Sequence, residues 1–171
     1  MMSTTAELLL VRHGQSEGNV GLSCDPDCAL TEAGREQARS LARRLAGYDL
    51  GGFSAVASPY LRAAQTAEAI AAATGLAFAK EAAVREWGQA VTIRGRVYPQ
   101  EPIGSVVERL REFLRRNEGR KLLVVSHAAP IALLTQLAWG EPPNTEGAFW
   151  AGVGNCCLRW LKVTCGPGSE G

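Results

Sequence analysis

Short apolar runs alternate with longer amphipathic stretches along this chain, and that alternation restricts its fold more than any other feature. Leu8–Val11, Ala55–Ala57 and Leu122–Val125 are runs of the kind buried on both faces of a parallel sheet. Thr31 reads as a helix N-cap, followed by an inward face of Ala38, Leu41, Ala42 and Leu45. Ser58-Pro59 reads as a cap and first helical position of a second helix, reaching Thr74-Gly75. Further helices are expected over Gly104–Asn117 and Pro130–Trp139, and a last strand over Asn155–Val163. This order implies the α/β class: a three-layer α/β/α sandwich, its mostly parallel central sheet flanked by helices.

Composition narrows the possible partners. A chain of 171 residues with 18 Lys+Arg against 17 Asp+Glu suits one domain and carries no basic stripe for nucleic acid. No early apolar run is long enough for a signal peptide or a membrane span, so neither is expected. Five cysteines in no framework spacing read as reduced thiols, and Cys24 and Cys28 lack two further ligands for a metal. The expected setting is cytoplasmic.

Strand ends locate the candidate site, because ligands of such sheets bind at the carboxyl ends of the strands. Arg12-His13-Gly14 follows the first strand and Ser126-His127 the third, while Arg62 falls in the opening turns of the second helix. Both histidines of the chain therefore share one pole with two arginines. Singly, each residue reads as structural. Together, guanidinium forks, imidazoles and helix N-termini make a compact site for a phosphate dianion, each charge-assisted hydrogen bond contributing about 1.5–3 kcal/mol.

The wording of the segments carries a resemblance. Leu9-Leu10-Val11-Arg12-His13-Gly14-Gln15-Ser16 with Asn19, Leu30-Thr31-Glu32-Ala33-Gly34, Ser58-Pro59-Tyr60-Leu61-Arg62-Ala63-Ala64-Gln65-Thr66 and Val124-Val125-Ser126-His127 resemble, in order, the blocks of the histidine phosphatase superfamily. The resemblance covers about residues 7–165 and implies that 1–171 forms a single catalytic domain of phosphoglycerate mutase-like fold. It implies that His13 is the nucleophile, and that Arg12, Arg62, Asn19, Ala128 and a protonated His127 bind the phosphoryl group. Glu86 takes the place of the proton donor, its pKa raised by bound phosphate; its bland alternative is a surface carboxylate paired with Arg85. No metal or cofactor is implied, and the expected substrate is a small phosphorylated metabolite.

Two departures bear on the activity. Ala128-Ala129 stands where the family usually has Gly-Gly, which keeps the backbone N–H groups but resists left-handed torsions. The interval 87–126 is shorter than in the mutases, which leaves little lid and favours hydrolysis over transfer. A metal-independent phosphatase acting through phospho-His13 is the expected function. The alternatives are a phosphoglycerate mutase, a protein phosphohistidine phosphatase and a non-catalytic phosphate-binding module. Trp87, Gln89, Arg94, Arg96 and Tyr98 are candidates for one pocket wall and Cys24–Cys28 for another. Arg94 and Arg96 are equally readable as solvated loop residues. Trp139, Trp150 and Trp160 read as packing residues without a functional role.

Overall fold

A computed structural model describes residues 4–165 apart from 89, 94, 147 and 148. The expected sidewall residues Gln89 and Arg94 lie outside the described residues. The order is β1 (Thr4–Arg12), α1 (Glu32–Leu45), β2 (Phe53–Ala57), α2 (Leu61–Thr74), β3 (Phe78–Lys80), β4 (Val91–Ile93), β5 (Arg96–Tyr98), α3 (Ile103–Arg116), β6 (Lys121–Ser126), α4 (Ala128–Ala138) and β7 (Leu158–Cys165). Five strands form one sheet in the order β3-β2-β6-β1-β7. The first four are parallel and β7 runs antiparallel to β1.

Alternation along the central strands sorts the core into two layers. Leu8, Leu10, Leu122 and Val124 face α3 and α4 through Val106, Leu110, Phe113, Ile131 and Leu134. Leu9, Val11, Leu123 and Val125 face α1 and α2 through Leu41, Leu45, Ala63 and Ile70. Both faces are covered, which is why these strands read as unbroken apolar runs in the sequence. The α/β sandwich with a mostly parallel sheet is thus the observed architecture.

Thr31 caps α1 as expected, its Oγ1 accepting from the Gly34 N–H at 3.0 Å. Gly34 is required by a close approach: a Cβ there would stand 1.9 Å from the Gln15 carbonyl oxygen. The first turn of α1 thereby presses directly on the loop that follows β1.

Other expectations are corrected. Ser58-Pro59 does not open α2, which starts at Leu61 with Tyr60 at the N-cap and no side-chain bond from it. Asp27 supplies the missing acceptor, its Oδ1 taking the Leu61 N–H at 2.6 Å. The last strand begins at Leu158, three residues later than the pattern indicates, and α4 begins two residues earlier. Trp139, at the C-cap of α4, and Trp160, stacked on Tyr48, are exposed at element ends and surfaces and not in the core.

Candidate active site

Register builds the centre of the site. β1 and β6 are neighbours and pair Arg12 with Ser126, so the next residues, His13 and His127, emerge side by side. Their ring centroids are 5.1 Å apart, and the His13 N–H donates to the Ser126 carbonyl at 3.0 Å. Both rings are buried.

His13 is held in one tautomer. Its Nδ1–H donates to the Gly14 carbonyl at 2.7 Å, which leaves the lone pair on Nε2, and Arg62 Nε donates to that atom at 3.1 Å. Burial first, then the positive charge of Arg62 and Arg12, pushes the His13 pKa down to about 3. The ring is therefore neutral at any ordinary pH, with a nucleophilic nitrogen facing the site.

Arg62 sits on the second residue of α2, with its Nη1 donating to the Pro26 carbonyl at 2.6 Å. Arg12 donates through Nη1 to the Val153 carbonyl. Its Nε is buried with no hydrogen-bond partner among the described residues, and His127 Nδ1 is in the same condition. These two buried polar atoms, at one strand pole, are groups that a bound anion could satisfy.

His127 is not charged in advance of a ligand. Burial, followed by the charges of Arg62, His13, Arg12 and Arg109, drives its pKa well below the usual imidazole value. The free protein therefore holds a neutral ring here, not a standing cation. Its Nε2 pairs with the Ser58 hydroxyl at 2.7 Å. The Ser58 that resembled a helix cap serves a histidine instead.

Glu86 faces the same centre. Its Oε2 lies 3.9 Å from His127 Nδ1, and its Oε1 accepts from the Trp87 N–H at 3.0 Å. Burial raises its pKa against the pull of Arg62, the Trp87 N–H, Arg12 and Arg109. The carboxyl is thus raised before any phosphate arrives. The bland reading of Glu86 fails, because Arg85 is paired with Glu101 at 3.0 Å instead. Arg109 joins the same carboxylate at 2.8 Å and donates to the Arg85 carbonyl at 3.0 Å. Ser126 Oγ donates to the Val84 carbonyl at 2.6 Å. These bonds hold the Glu86 loop against both α3 and the end of β6.

Asn19 is oriented by contacts to its oxygen. Oδ1 accepts from the Ser16 N–H at 3.0 Å and from Asn155 Nδ2 at 3.2 Å, so its own amide N–H2 remains for a ligand. Asn155 also donates to the His13 carbonyl at 3.1 Å. Ala128 and Ala129 open α4 and line the pocket, and the N–H groups of a first turn have no partner within their helix. Neither is left-handed; Cys156 alone among the described non-glycine residues has positive φ, so the two alanines fit without strain.

All seven expected site residues, Arg12, His13, Asn19, Arg62, Glu86, His127 and Ala128, thus gather at one pole. Around them lie two hollows, of about 430 and 260 Å³, which share Arg12, Asn19 and Glu86. The smaller is walled by Cys24, Asp25, Pro26 and Cys28. The larger is walled by Trp87, Gln100 and Trp150, the last unexpected as a site residue. Arg96 lies elsewhere, exposed, its guanidinium 5.2 Å from the Tyr98 ring. Ser58, Asn155 and Trp150 are the residues that sequence reasoning missed. Only Ser58 carried a usable signal, since it too follows a strand end. Among the described residues, no cluster of three His, Cys, Asp or Glu side chains is placed to hold a metal, and no helix is long and apolar enough to cross a membrane.

A neutral imidazole whose unprotonated Nε2 is met by the Arg62 guanidinium, beside Arg12 and a carboxyl of raised pKa, defines a site suited to phosphoryl chemistry. The sequence profile of the histidine phosphatase superfamily (branch 1) matches residues 8–96, and the chain belongs to that superfamily. It is 29% identical over 190 residues to the "Probable phosphoglycerate mutase GpmB" of Photorhabdus laumondii subsp. laumondii, covering 94% of this chain and 86% of that one. The protein of the same name from Serratia proteamaculans is 28% identical over 169 residues, covering 82% and 78%. Similar solved structures include a mycobacterial glucosyl-3-phosphoglycerate phosphatase (TM-score 0.69, 23% identity, 92% and 90% covered). A phosphoserine phosphatase from Entamoeba histolytica (0.67, 22%, 91% and 89%) and a Bacillus anthracis phosphoglycerate mutase (0.69, 19%, 95% and 89%) share the same fold. The structural neighbours thus comprise both phosphatases and mutases, and a phosphorylated small molecule is the substrate type of the superfamily.

Proposed function

We propose that this chain is a single-domain phosphatase that hydrolyses a small phosphomonoester through a phosphohistidine on His13. The observation that carries the reading is the Nδ1–H to Gly14 bond, which leaves His13 Nε2 unprotonated at the site. Nε2 attacks phosphorus, and the bond from phosphorus to the ester oxygen breaks. Arg12, Arg62, Asn19, His127 and the amide of Ala128 bind the phosphoryl oxygens as charge builds on them. Glu86, protonated through its raised pKa, gives its proton to the departing oxygen. The resulting carboxylate then takes a proton from water, the oxygen attacks phosphorus, and the phosphorus–nitrogen bond breaks to release phosphate and restore Glu86.

The short interval 87–126 favours water over a second hydroxyl as the acceptor. It holds the β4–β5 hairpin and α3, and little else to close over a substrate. The names of the two sequence relatives favour the second reading, a phosphoglycerate mutase. Hydrolysis of p-nitrophenyl phosphate in excess EDTA, by wild type and His13→Ala, tests the first reading. Activity that resists EDTA and disappears in His13→Ala is the expected result, and activity surviving that substitution refutes the mechanism. Conversion of 3- to 2-phosphoglycerate stimulated by 2,3-bisphosphoglycerate, and faster than phosphate release, decides for the mutase.

A further inference from the structure

The larger hollow, of about 430 Å³, has two chemically different sets of lining residues and is within the size range of small-molecule sites. Arg12, Asn19 and Glu86 are the set that handles the phosphoryl group and its leaving oxygen. The lining also includes Trp87 and Trp150, whose ring centroids are 5.8 Å apart in an edge-to-face pair. Trp87 donates its Nε1–H to the Glu101 carbonyl at 3.2 Å, so its polar edge is engaged and its ring is fixed in place. Phe149 packs against Trp150 at 4.7 Å and backs that wall. Ala128 and Ala129 line the same hollow.

Charge along the lining points the same way. Arg12 and Glu86 are the only charged side chains among the described residues lining the hollow. Arg85 and Arg109 are tied to Glu101, and exposed Arg96 borders a separate hollow beside Tyr98. Beyond Arg12, which is committed to the phosphoryl group, a carboxylate or second phosphate on the leaving group meets no cation among the described residues of the lining. An uncharged ring meets two fixed indoles, which are suited to stacking or edge contacts.

We infer that Trp87 and Trp150 are specificity-determining residues, and that the substrate is a phosphomonoester whose leaving group is an uncharged aromatic or other apolar ring. The inference rests on the phosphatase reading above and adds the class of alcohol released.

Esters of matched leaving ability test it: 2-naphthylmethyl phosphate, glycerol 3-phosphate and 3-phosphoglycerate are all alkyl phosphates. Wild type is expected to show kcat/KM at least tenfold higher for the naphthylmethyl ester than for 3-phosphoglycerate. Trp150→Ala is expected to lower the naphthylmethyl value at least tenfold more than the glycerol 3-phosphate value. Gln100→Arg, which puts a cation at an exposed position of the wall, is expected to raise the 3-phosphoglycerate to naphthylmethyl ratio at least tenfold. Circular dichroism establishes that each variant folds; if Trp150→Ala does not, the wild-type preference and Gln100→Arg decide. Hydrolysis that depends on His13 but prefers 3-phosphoglycerate, or equal losses across esters in a folded Trp150→Ala, overturns this inference alone. Absence of His13-dependent hydrolysis of every ester overturns the phosphatase reading and this inference with it.

Discussion

Ser58→Ala tests how His127 presents itself to a phosphoryl oxygen. The Ser58 hydroxyl is buried, lies 2.7 Å from His127 Nε2 and already accepts from the Tyr60 N–H at 3.4 Å. With that hydroxyl donating to Nε2, a neutral ring carries its N–H on Nδ1, the buried atom that has no partner among the described residues. A neutral His127 can then donate to phosphate without first gaining a proton. Removing the hydroxyl leaves Nε2 buried and unpaired, at about 1–3 kcal/mol of stability. For a domain of this size that lowers Tm by roughly 2–10 °C. Without the hydroxyl the ring is free to place its proton on Nε2 and turn a lone pair toward the phosphoryl oxygen. Losing a hydrogen bond to a charged group costs about 1.5–3 kcal/mol, so kcat/KM for p-nitrophenyl phosphate should fall roughly 10- to 150-fold. Nitrogen-15 spectra of labelled histidine should show a protonated Nδ1 in wild type and a mixture in the variant. In a His127→Ala background, Ser58→Ala should change kcat/KM by less than about twofold. Independent, multiplying effects in that double-mutant cycle refute the coupling, as does a protonated Nε2 in the wild-type spectrum.

Three further outcomes follow from other contacts. Glu86→Gln should lower kcat roughly 10²- to 10⁴-fold for alkyl phosphates and abolish the alkaline limb of the pH–rate profile, which the raised carboxyl sets; an unchanged alkaline limb assigns the proton donor elsewhere. Because His13 falls from 6.5 to about 3 on folding, the unfolded chain binds more protons between those values. Stability is whole above pH 6.5 and is lost as pH falls through that window, by up to about 1.4 kcal/mol per pH unit. His127 acts in the same sense and the raised Glu86 opposes them. Thermal melts from pH 7 to 5 should show Tm falling, with a shallower slope in His13→Ala; a Tm that rises on acidification contradicts the burial of two neutral imidazoles. Gly34→Ala drives a methyl into the Gln15 carbonyl and should cost at least about 1–3 kcal/mol, while displacing the loop that carries His13. Denaturant melts together with kcat/KM check this, and a variant of wild-type stability refutes the close approach.

Features set by short-range patterning were legible from the sequence. The faces of α1 and α3, the strands β1 and β6, and the two histidines just past those strands follow from periodicity and the strand-end rule. Features set by partners distant in the chain were not. Ser58-Pro59 has the local chemistry of a helix start, yet the serine hydroxyl goes to His127, and the first N–H of α2 is taken by Asp27 from 34 residues away. The hairpin β4–β5 is three residues on each strand, too short for alternation to rise above chance, and its apolar side chains close a small cluster with Tyr60. Asn155 gave no signal, because its role lies in the orientation it imposes on Asn19 across 136 residues.

The same division separates the two histidines. The tautomer of His13 is set by its immediate neighbour in the chain, the Gly14 carbonyl. The charge state of His127 depends on how many cations the fold collects around a fully buried ring. Arg12, Arg62 and Arg109 come from three separate elements, and no local pattern announces their convergence. Those cations disfavour a protonated His127 while the site is free, and a phosphate dianion neutralises part of the same field on arrival. The arrangement that attracts the anion is thus also the one that disfavours a proton on either imidazole in the free site, which leaves His13 the neutral nucleophile the reaction needs.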